Sequence, residues 1–444
     1  MRIAVVGTGY VGLVSGACLS EKGHHVICVD NDAHKIQKIN NGVSPIYEDG
    51  LDALLKRNIG KRLSASTDLR SAINKSDISL IAVGTPFNGS IIDLSYVRQV
   101  AQEIGECLSK EDDYHVVIVK STVVPGTSDD VVKPLLEKYS KKIAGRDFGI
   151  GMNPEFLREG LAVDDFMNPD RIVLGGSDDL THSMMAKLYE PFGDIDTIFT
   201  NNKTAEMIKY TSNSLLATLI SFSNEVGNLC STLGAIDAKE VMTGVHLDKR
   251  ISPILENGQR ILPEITSYIE VGSGFGGSCL PKDVNALISH GDSVNQPMSL
   301  LKSVMLINKA QPLEIIKLLV KHYPDINDLK IAILGLAFKP GTDDMRESPA
   351  ISIIDKIVEL GGKVNAYDPI AEGNAKVVLS NNITFFNSFE DAVRDSEVVI
   401  LLTSWPEFQN LPQLIKSLNI NPLVIDGRRM LSKNDISRYE GIGN

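Results

Sequence analysis

The sequence predicts an α/β protein in which two doubly wound domains are joined by a long central helix. Three observations carry this: a glycine fingerprint between a strand and a helix near the amino terminus, strand–helix alternation that restarts at Asp328, and between them an unbroken helical pattern from Thr204 to Leu233. At 444 residues the chain is too long for one ordinary core, and length alone suggests about three domains. The expected division is 1–200, 201–312 and 313–444.

Arg2-Ile3-Ala4-Val5-Val6 is a short apolar run with β-branched residues, followed directly by Gly7-Thr8-Gly9-Tyr10-Val11-Gly12. Leu13 to Lys22 reads as a helix, and His25 to Val29 as a second strand ending in Asp30. A lone G-x-G-x-x-G is weak evidence. Here it lies between strand and helix, with a carboxylate closing the next strand. That is a dinucleotide fingerprint: a tight turn, a close approach to pyrophosphate, and a carboxylate for the ribose hydroxyls. The first domain is therefore expected to be Rossmann-like and to bind NAD. Asp30 would repel the 2′-phosphate of NADP.

Alternation continues through a strand from Asp77 to Val83, a helix from Tyr96 to Leu108, a strand from His115 to Lys120 and a helix from Thr127 to Lys138. Such alternation implies a parallel sheet, with ligands beyond the carboxyl ends of the strands. Thr85 and Thr122 occupy two such ends, which places two hydroxyls on one rim for cofactor or substrate. Asn153-Pro154-Glu155-Phe156-Leu157-Arg158-Glu159-Gly160 comes next. Two carboxylates four apart suit a solvated helix face, but the strand end at Gly149-Ile150-Gly151 argues for the site.

In the Thr204–Leu233 pattern Met207, Leu215, Leu219, Val226 and Leu229 recur at helical spacing, and Gly234 supplies the stop. Lys209 and Asn213 share one face of this helix. Its length suits a dimerisation spine. Beyond it, Gly272-Ser273-Gly274-Phe275-Gly276-Gly277-Ser278-Cys279 is a glycine-rich loop ending in a cysteine. If Pro281 opens a helix, Cys279 sits at its amino end, where N–H groups and the dipole favour a thiolate, and Asp283 lies one turn on. A buried, inert cysteine beside a glycine loop is the other reading of this segment.

From Asp328 the strands are Leu329–Leu334, Lys363–Tyr367, Glu397–Leu402 and Leu423–Asp426, with a helix from Ile351 to Leu360. The second sheet lacks a full glycine fingerprint. Lys339 and Arg428, on its strand-end loops, suit a ligand phosphate.

Composition bounds the partners. A net charge of −12 argues against nucleic acid. No apolar run approaches the length of a bilayer span, and Arg2–Val6 reads as core strand, leaving no room for a signal peptide. The five cysteines are odd in number and lack C-x-x-C spacing, which fits a reducing cytoplasm with four of them as small core residues. The eight histidines form no pair or Cys/His cluster, so no metal site is expected.

Taken together, Gly7–Gly12, Gly84-Thr85-Pro86, Ser121-Thr122-Val123, Asn153-Pro154-Glu155-Phe156-Leu157, Lys209 with Asn213, Gly276-Gly277-Ser278-Cys279 and Arg346-Glu347-Ser348 resemble the nucleotide-sugar 6-dehydrogenases. The resemblance runs in order from residue 1 to about residue 430, and Gly-Gly-Ser-Cys with Leu-Pro-Lys-Asp is similar to the UDP-glucose and GDP-mannose branches. It implies an NAD-dependent four-electron oxidation of UDP-glucose to UDP-glucuronate by a homodimer, or the same chemistry on another nucleotide sugar such as GDP-mannose. A non-catalytic nucleotide-sugar binder is the remaining alternative. By resemblance Cys279 is the nucleophile, Lys209 and Asn213 stabilise the oxyanion, Asp283 and Thr122 hold a water, and Glu155 assists thioester hydrolysis. Gly7, Gly9, Tyr10, Val11, Gly12, Asp30, Lys35, Thr85, Thr122, Glu159 and Arg346 would hold NAD. Glu155, Phe156, Leu157, Lys209, Asn213, Gly276, Phe338, Lys339 and Arg428 would meet the sugar nucleotide, and Arg250 would reach the partner subunit's substrate site. The segment from Ser252 to Val271 is longer than the family pattern.

Overall fold

The computed structural model describes residues 1–379 and 382–444 and divides into two compact units, Met1–Ser212 and Asn213–Asn444. The first holds an eight-stranded sheet: β1 (Arg2–Val6), β2 (His25–Val29), β3 (Leu63–Ser66), β4 (Ile78–Ile81), β5 (His115–Val119), β6 (Phe148–Met152), β7 (Ile172–Gly176) and β8 (Thr197–Thr200). Their order is β3-β2-β1-β4-β5-β6-β7-β8, parallel except where β6 meets β7. The second unit holds six parallel strands: β9 (Lys330–Leu334), β10 (Lys363–Tyr367), β11 (Ile383–Phe385), β12 (Val398–Leu401), β13 (Leu423–Asp426) and β14 (Tyr439–Gly441). They run β11-β10-β9-β12-β13-β14. Each sheet thus reverses direction beside its first strand, leaving a crevice between β1 and β4 and another between β9 and β12 where such folds take ligands.

The central strands are apolar throughout because helices cover both faces. Ile3 and Val5 enter one core cluster while Ala4 and Val6 enter the other, and Ile331 and Ile333 part from Ala332 and Leu334 in the same way. Period-two side-chain direction splits each strand between two cores.

The long helix runs from Asn202 to Leu233. Asn201 Oδ1 accepts from Thr204 N at 2.8 Å at its start, and Gly234, at φ +71°, ends it. Its inward face mixes apolar residues, among them Ala205, Tyr210, Ala217 and Cys230, with many polar ones. Met207, Leu215, Phe222 and Leu229 are 40, 51, 50 and 57% exposed, whereas Glu206, Lys209, Asn213, Ser221 and Asn224 are buried. The apolar spacing read from the sequence therefore marks mainly the outer face.

One further segment departs from the sequence expectation. Thr127–Val132 is a π-helical stretch leading into an α-helix over Lys133–Ser140, in place of one α-helix. The Asn153–Arg158 stretch, for which the sequence favoured a site over a solvated helix face, is irregular loop. Ser252–Val271 carries one antiparallel bridge, Ile254 with Arg260, and a 3-10 turn over Glu264–Tyr268. Among the described residues no helix is long and apolar enough to cross a membrane.

Candidate active site

In the first unit the fingerprint turn follows β1 as expected. A Cβ at Gly12 would lie 1.9 Å from the Gly7 carbonyl oxygen, so helix and turn can approach only without a side chain there. A Cβ at Gly9 would meet nothing within 4 Å, leaving open space over the amino end of the helix Tyr10–Glu21. Uncapped N–H groups facing such a space suit a pyrophosphate. Asp30 accepts from Thr8 N at 2.8 Å, Thr8 Oγ1 at 2.7 Å and Asp32 N at 3.0 Å. Burial pushes its carboxyl upward, but these bonds and the Lys35 charge outweigh it and hold the pKa low. The turn, the open helix end and an ionised carboxylate at the end of β2 fit NAD. On the neighbouring rim Thr85 Oγ1 donates to the Thr122 carbonyl at 2.7 Å, so the two predicted threonines do meet.

Tyr10 hydrogen-bonds Glu48, which accepts from Gly160 N at 2.7 Å and Ala162 N at 2.6 Å. Gly160 N also donates to the Tyr10 hydroxyl at 2.8 Å. This buried carboxylate pins the fingerprint helix to the loop that carries Glu155 and Glu159. Glu48 stands in a loop with no motif around it, and sequence reasoning passed over it.

Glu155 and Lys209 form a buried ion pair, Nζ to Oε1 at 2.9 Å, each side chain 4% exposed. Burial disfavours the charge on Glu155, yet Lys209, the Leu157 N–H at 2.6 Å and the charge of Lys120 keep its pKa below the ordinary value. The Phe156 ring lies beneath Lys209 Nζ at 5.7 Å and stacks on the Arg171 guanidinium at 3.8 Å. Behind the pair, Lys120 Nζ donates to Asn153 Oδ1 at 2.9 Å. Lys120 is the second residue the sequence reading missed, since a strand-end lysine ordinarily faces water.

In the second unit Cys279 is the N-cap of the helix Leu280–Ser293, with Pro281 in its first turn. The expectation built on Pro281 holds. The thiol is half-buried, Ser278 Oγ lies 3.5 Å from Sγ, and Asp283 N donates to the Cys279 carbonyl at 2.8 Å. Asp283, 1% exposed, accepts from Asn213 Nδ2 at 2.6 Å and from Lys282 Nζ at 2.6 Å. Asn213 keeps a second N–H for a ligand oxygen.

The glycine loop is buried from Val271 to Gly277, and side-chain amides satisfy much of its backbone. Asn224 Oδ1 accepts from Gly272 N at 2.8 Å, Gln311 Nε2 donates to Gly272 O at 2.8 Å, and Asn308 bonds both N and O of Phe275. None of the three amides stood out in sequence, because their partners are backbone groups distant along the chain. A Cβ at Gly276 would lie 2.1 Å from the Glu347 carbonyl oxygen and 3.2 Å from the Phe338 Cβ. Gly276 and Phe338 therefore share one wall. Arg428 spans the same region, with Nε donating to Leu402 O at 2.5 Å and a terminal nitrogen to Phe338 O at 3.2 Å, and burial lowers its pKa to about 10. Lys339 Nζ lies 5.9 Å from the Phe338 ring, and Arg346 pairs with Asp344 at 2.8 Å. Arg250 stands apart: its side chain is 89% exposed and pairs with Asp248 at 2.5 Å.

Three models of one family, the UDP-glucose/GDP-mannose dehydrogenase family, match in order: the NAD binding domain over residues 1–193, the central domain over 203–310 and the UDP binding domain over 332–433. UDP-glucose 6-dehydrogenase TuaD of Bacillus subtilis (strain 168) is 41% identical over 450 residues, spanning 100% of this chain and 93% of that protein. UDP-glucose 6-dehydrogenase AglM of Haloferax volcanii is 38% identical over 448 residues and 100% of both. A solved UDP-glucose dehydrogenase from the hyperthermophilic archaeon Pyrobaculum islandicum has a TM-score of 0.89 at 34% identity, over 99% of this chain and 97% of that one. UDP-D-ManNAc dehydrogenase from Pyrococcus horikoshii gives 0.84 at 28% identity, over 100% and 99%. A glycine turn shaped for a dinucleotide and a likeness that runs from end to end lead to one conclusion: the chain belongs to the UDP-glucose/GDP-mannose dehydrogenase family and is an NAD-dependent dehydrogenase.

Proposed function

We propose that this enzyme oxidises UDP-glucose to UDP-glucuronate in two successive steps through a covalent intermediate on Cys279. The observation that carries the covalent route is Cys279 at a helix amino end, with Asp283 buried one turn beyond it and bonded to Asn213. In this reading residues 1–200 bind NAD, 201–312 carry Cys279 and the helix that forms a homodimer, and 313–444 bind the nucleotide sugar. The relatives named above supply the preference for UDP-glucose.

Held at the Gly7–Gly12 turn and Asp30, NAD would supply the hydride acceptor for each oxidation. The chain's residues do the rest. Asp283 and Thr122 hold the water that takes the C6 hydroxyl proton. The Cys279 thiolate then adds to the C6 aldehyde, forming a C–S bond and an oxyanion that Lys209 and Asn213 stabilise. Loss of the second hydride leaves a thioester. Glu155 assists the water that attacks the acyl carbon, whereupon the C–S bond breaks and thiolate and carboxylate are released. Phe338, Lys339 and Arg428 hold the nucleotide, with the two cations facing its phosphates, and Arg250 serves the partner's site.

The test is NADH yield across UDP-glucose, GDP-mannose and UDP-N-acetylated sugars. UDP-glucose should give two NADH per sugar and no trappable aldehyde. A yield of one with free aldehyde, or faster turnover of GDP-mannose, overturns the respective part of the reading.

A further inference from the structure

The second half of this reaction needs Glu155 as a carboxylate in a place where burial disfavours charge. Behind the Glu155–Lys209 pair lies another buried ammonium that the chemistry above leaves unused. Lys120 directly precedes Ser121 and Thr122 at the end of β5 and is 2% exposed. Its Nζ donates to Asn153 Oδ1 at 2.9 Å and lies 3.5 Å from the Asn153 carbonyl oxygen. The amide has one orientation only, since its Oδ1 also accepts from the Tyr189 hydroxyl at 2.5 Å while Nδ2 donates to Val173 O at 2.9 Å.

The groups facing Lys120 are few. Asn153 and Glu155 come from the loop after β6, Tyr189 from the helix Asp179–Tyr189, and Lys209 from the long helix. Phe166, with its ring 5.6 Å from Nζ, comes from the helix Ala162–Met167. Among the described residues no carboxylate bonds Lys120 directly. Burial lowers its pKa to about 8, with Glu155 opposing that fall and Lys209 adding to it. An ammonium kept in the interior on neutral acceptors is costly to hold. The carboxylate that feels its field is Glu155, whose pKa it helps to lower.

We propose that Lys120 is a positioning residue for thioester hydrolysis, acting through Glu155: its buried charge holds the Glu155 carboxylate ionised while Lys209 turns to the substrate oxygen. The inference rests on the reading of Cys279 and Glu155 given above. In that step water adds to the acyl carbon, the C–S bond breaks and Cys279 leaves as thiolate; one proton of the water passes to Glu155, and the other leaves to solvent as the product acid ionises to its carboxylate. No electrons are transferred.

The experiment follows NADH in stopped flow and intact mass after quenching, for the wild type and for Lys120→Met, Lys120→Gln and Lys120→Arg. With the charge gone, the Met and Gln variants should show a burst of two NADH per site and then steady turnover slowed roughly tenfold or more. An acyl adduct should accumulate on Cys279. The acid limb of kcat should move to higher pH in both, because Glu155 loses a cation that opposes its protonation. Arg keeps the charge and should restore the limb. The Gln variant also serves if Met fails to fold. Undiminished turnover, or burst and steady rate falling together with an unmoved acid limb, would make Lys120 a structural tie and overturn the proposal. If the wild type itself stops after one NADH, the covalent reading fails first, and the two failures are thereby distinguished.

Discussion

In the proposed covalent route the reactivity of Cys279 would follow from its place in the fold. As N-cap it lies where the helix's N–H groups and dipole favour a thiolate. A serine there would keep the geometry and lose the acidity. Cys279→Ser should reduce steady turnover at least about a thousandfold while leaving binding of NAD and sugar nucleotide in place. Intact mass after a single turnover would show an ester or no adduct, and full retained turnover would return Cys279 to the inert reading. A second residue prediction concerns Glu206, which accepts from Gly126 N at 2.5 Å, Ser128 N at 2.8 Å and Ser128 Oγ at 2.7 Å. It thereby holds the loop that follows Thr122. Burial raises its pKa to about 7 against these bonds. The folded state therefore binds a proton more tightly than the unfolded chain, and the associated stability is lost as pH rises from the ordinary glutamate range through about 7. Glu206→Gln loses one acceptor, a constant penalty, but it also removes the titration. The difference in melting temperature, variant minus wild type, should thus rise between about pH 5 and about pH 8. A difference that stays flat across this range refutes the assignment.

At the scale of elements, the strands were legible because central parallel strands are apolar runs closed by turn residues, and β2, β10 and β13 begin and end where the sequence placed them. The fingerprint, Thr85 with Thr122, and the Pro281 helix were legible for the same reason: each is a local pattern. What stayed hidden depends on partners far along the chain. The π-helical register at Thr127–Val132 coincides with a carboxylate from Glu206, and the glycine loop hangs on Asn224, Asn308 and Gln311. Helical periodicity found the long helix but not which face looks inward, since a polar face around a site and an apolar face toward a partner give the same period. Phe222 and Leu229, seven apart and about half exposed, are the test of that outer face. Burying two large side chains contributes about 3–6 kcal/mol, and a carboxylate in their place reverses the sign. Phe222→Glu with Leu229→Glu should convert a dimer to a monomer in light scattering at micromolar concentration. A monomeric wild type, or a dimer unaffected by both changes, removes this helix from the interface.

At the scale of the whole molecule, the two compact units carry separate doubly wound sheets, and one family model for NAD binding and one for UDP binding fall on different units. Ligands that bind the native state alone stabilise it by mass action, by about 2.7 kcal/mol at a hundred times the dissociation constant. If each ligand acts on its own unit, the effects are separable by a local probe. The chain supplies one: its single tryptophan, Trp405, lies in the second unit, 9% exposed, with Nε1 donating to Asp368 Oδ2 at 3.2 Å. Asp368 also accepts from Leu336 N and Ala337 N, just past β9, and Trp405 follows β12, so the indole reports on the crevice between β9 and β12. Tryptophan emission during urea unfolding should therefore move to higher midpoint with UDP and much less with NAD, whereas far-ultraviolet circular dichroism, which sees both units, should move with either. Equal shifts of the Trp405 midpoint by the two ligands would mean that the units unfold as one cooperative body, and a shift with NAD alone would take UDP out of the second unit.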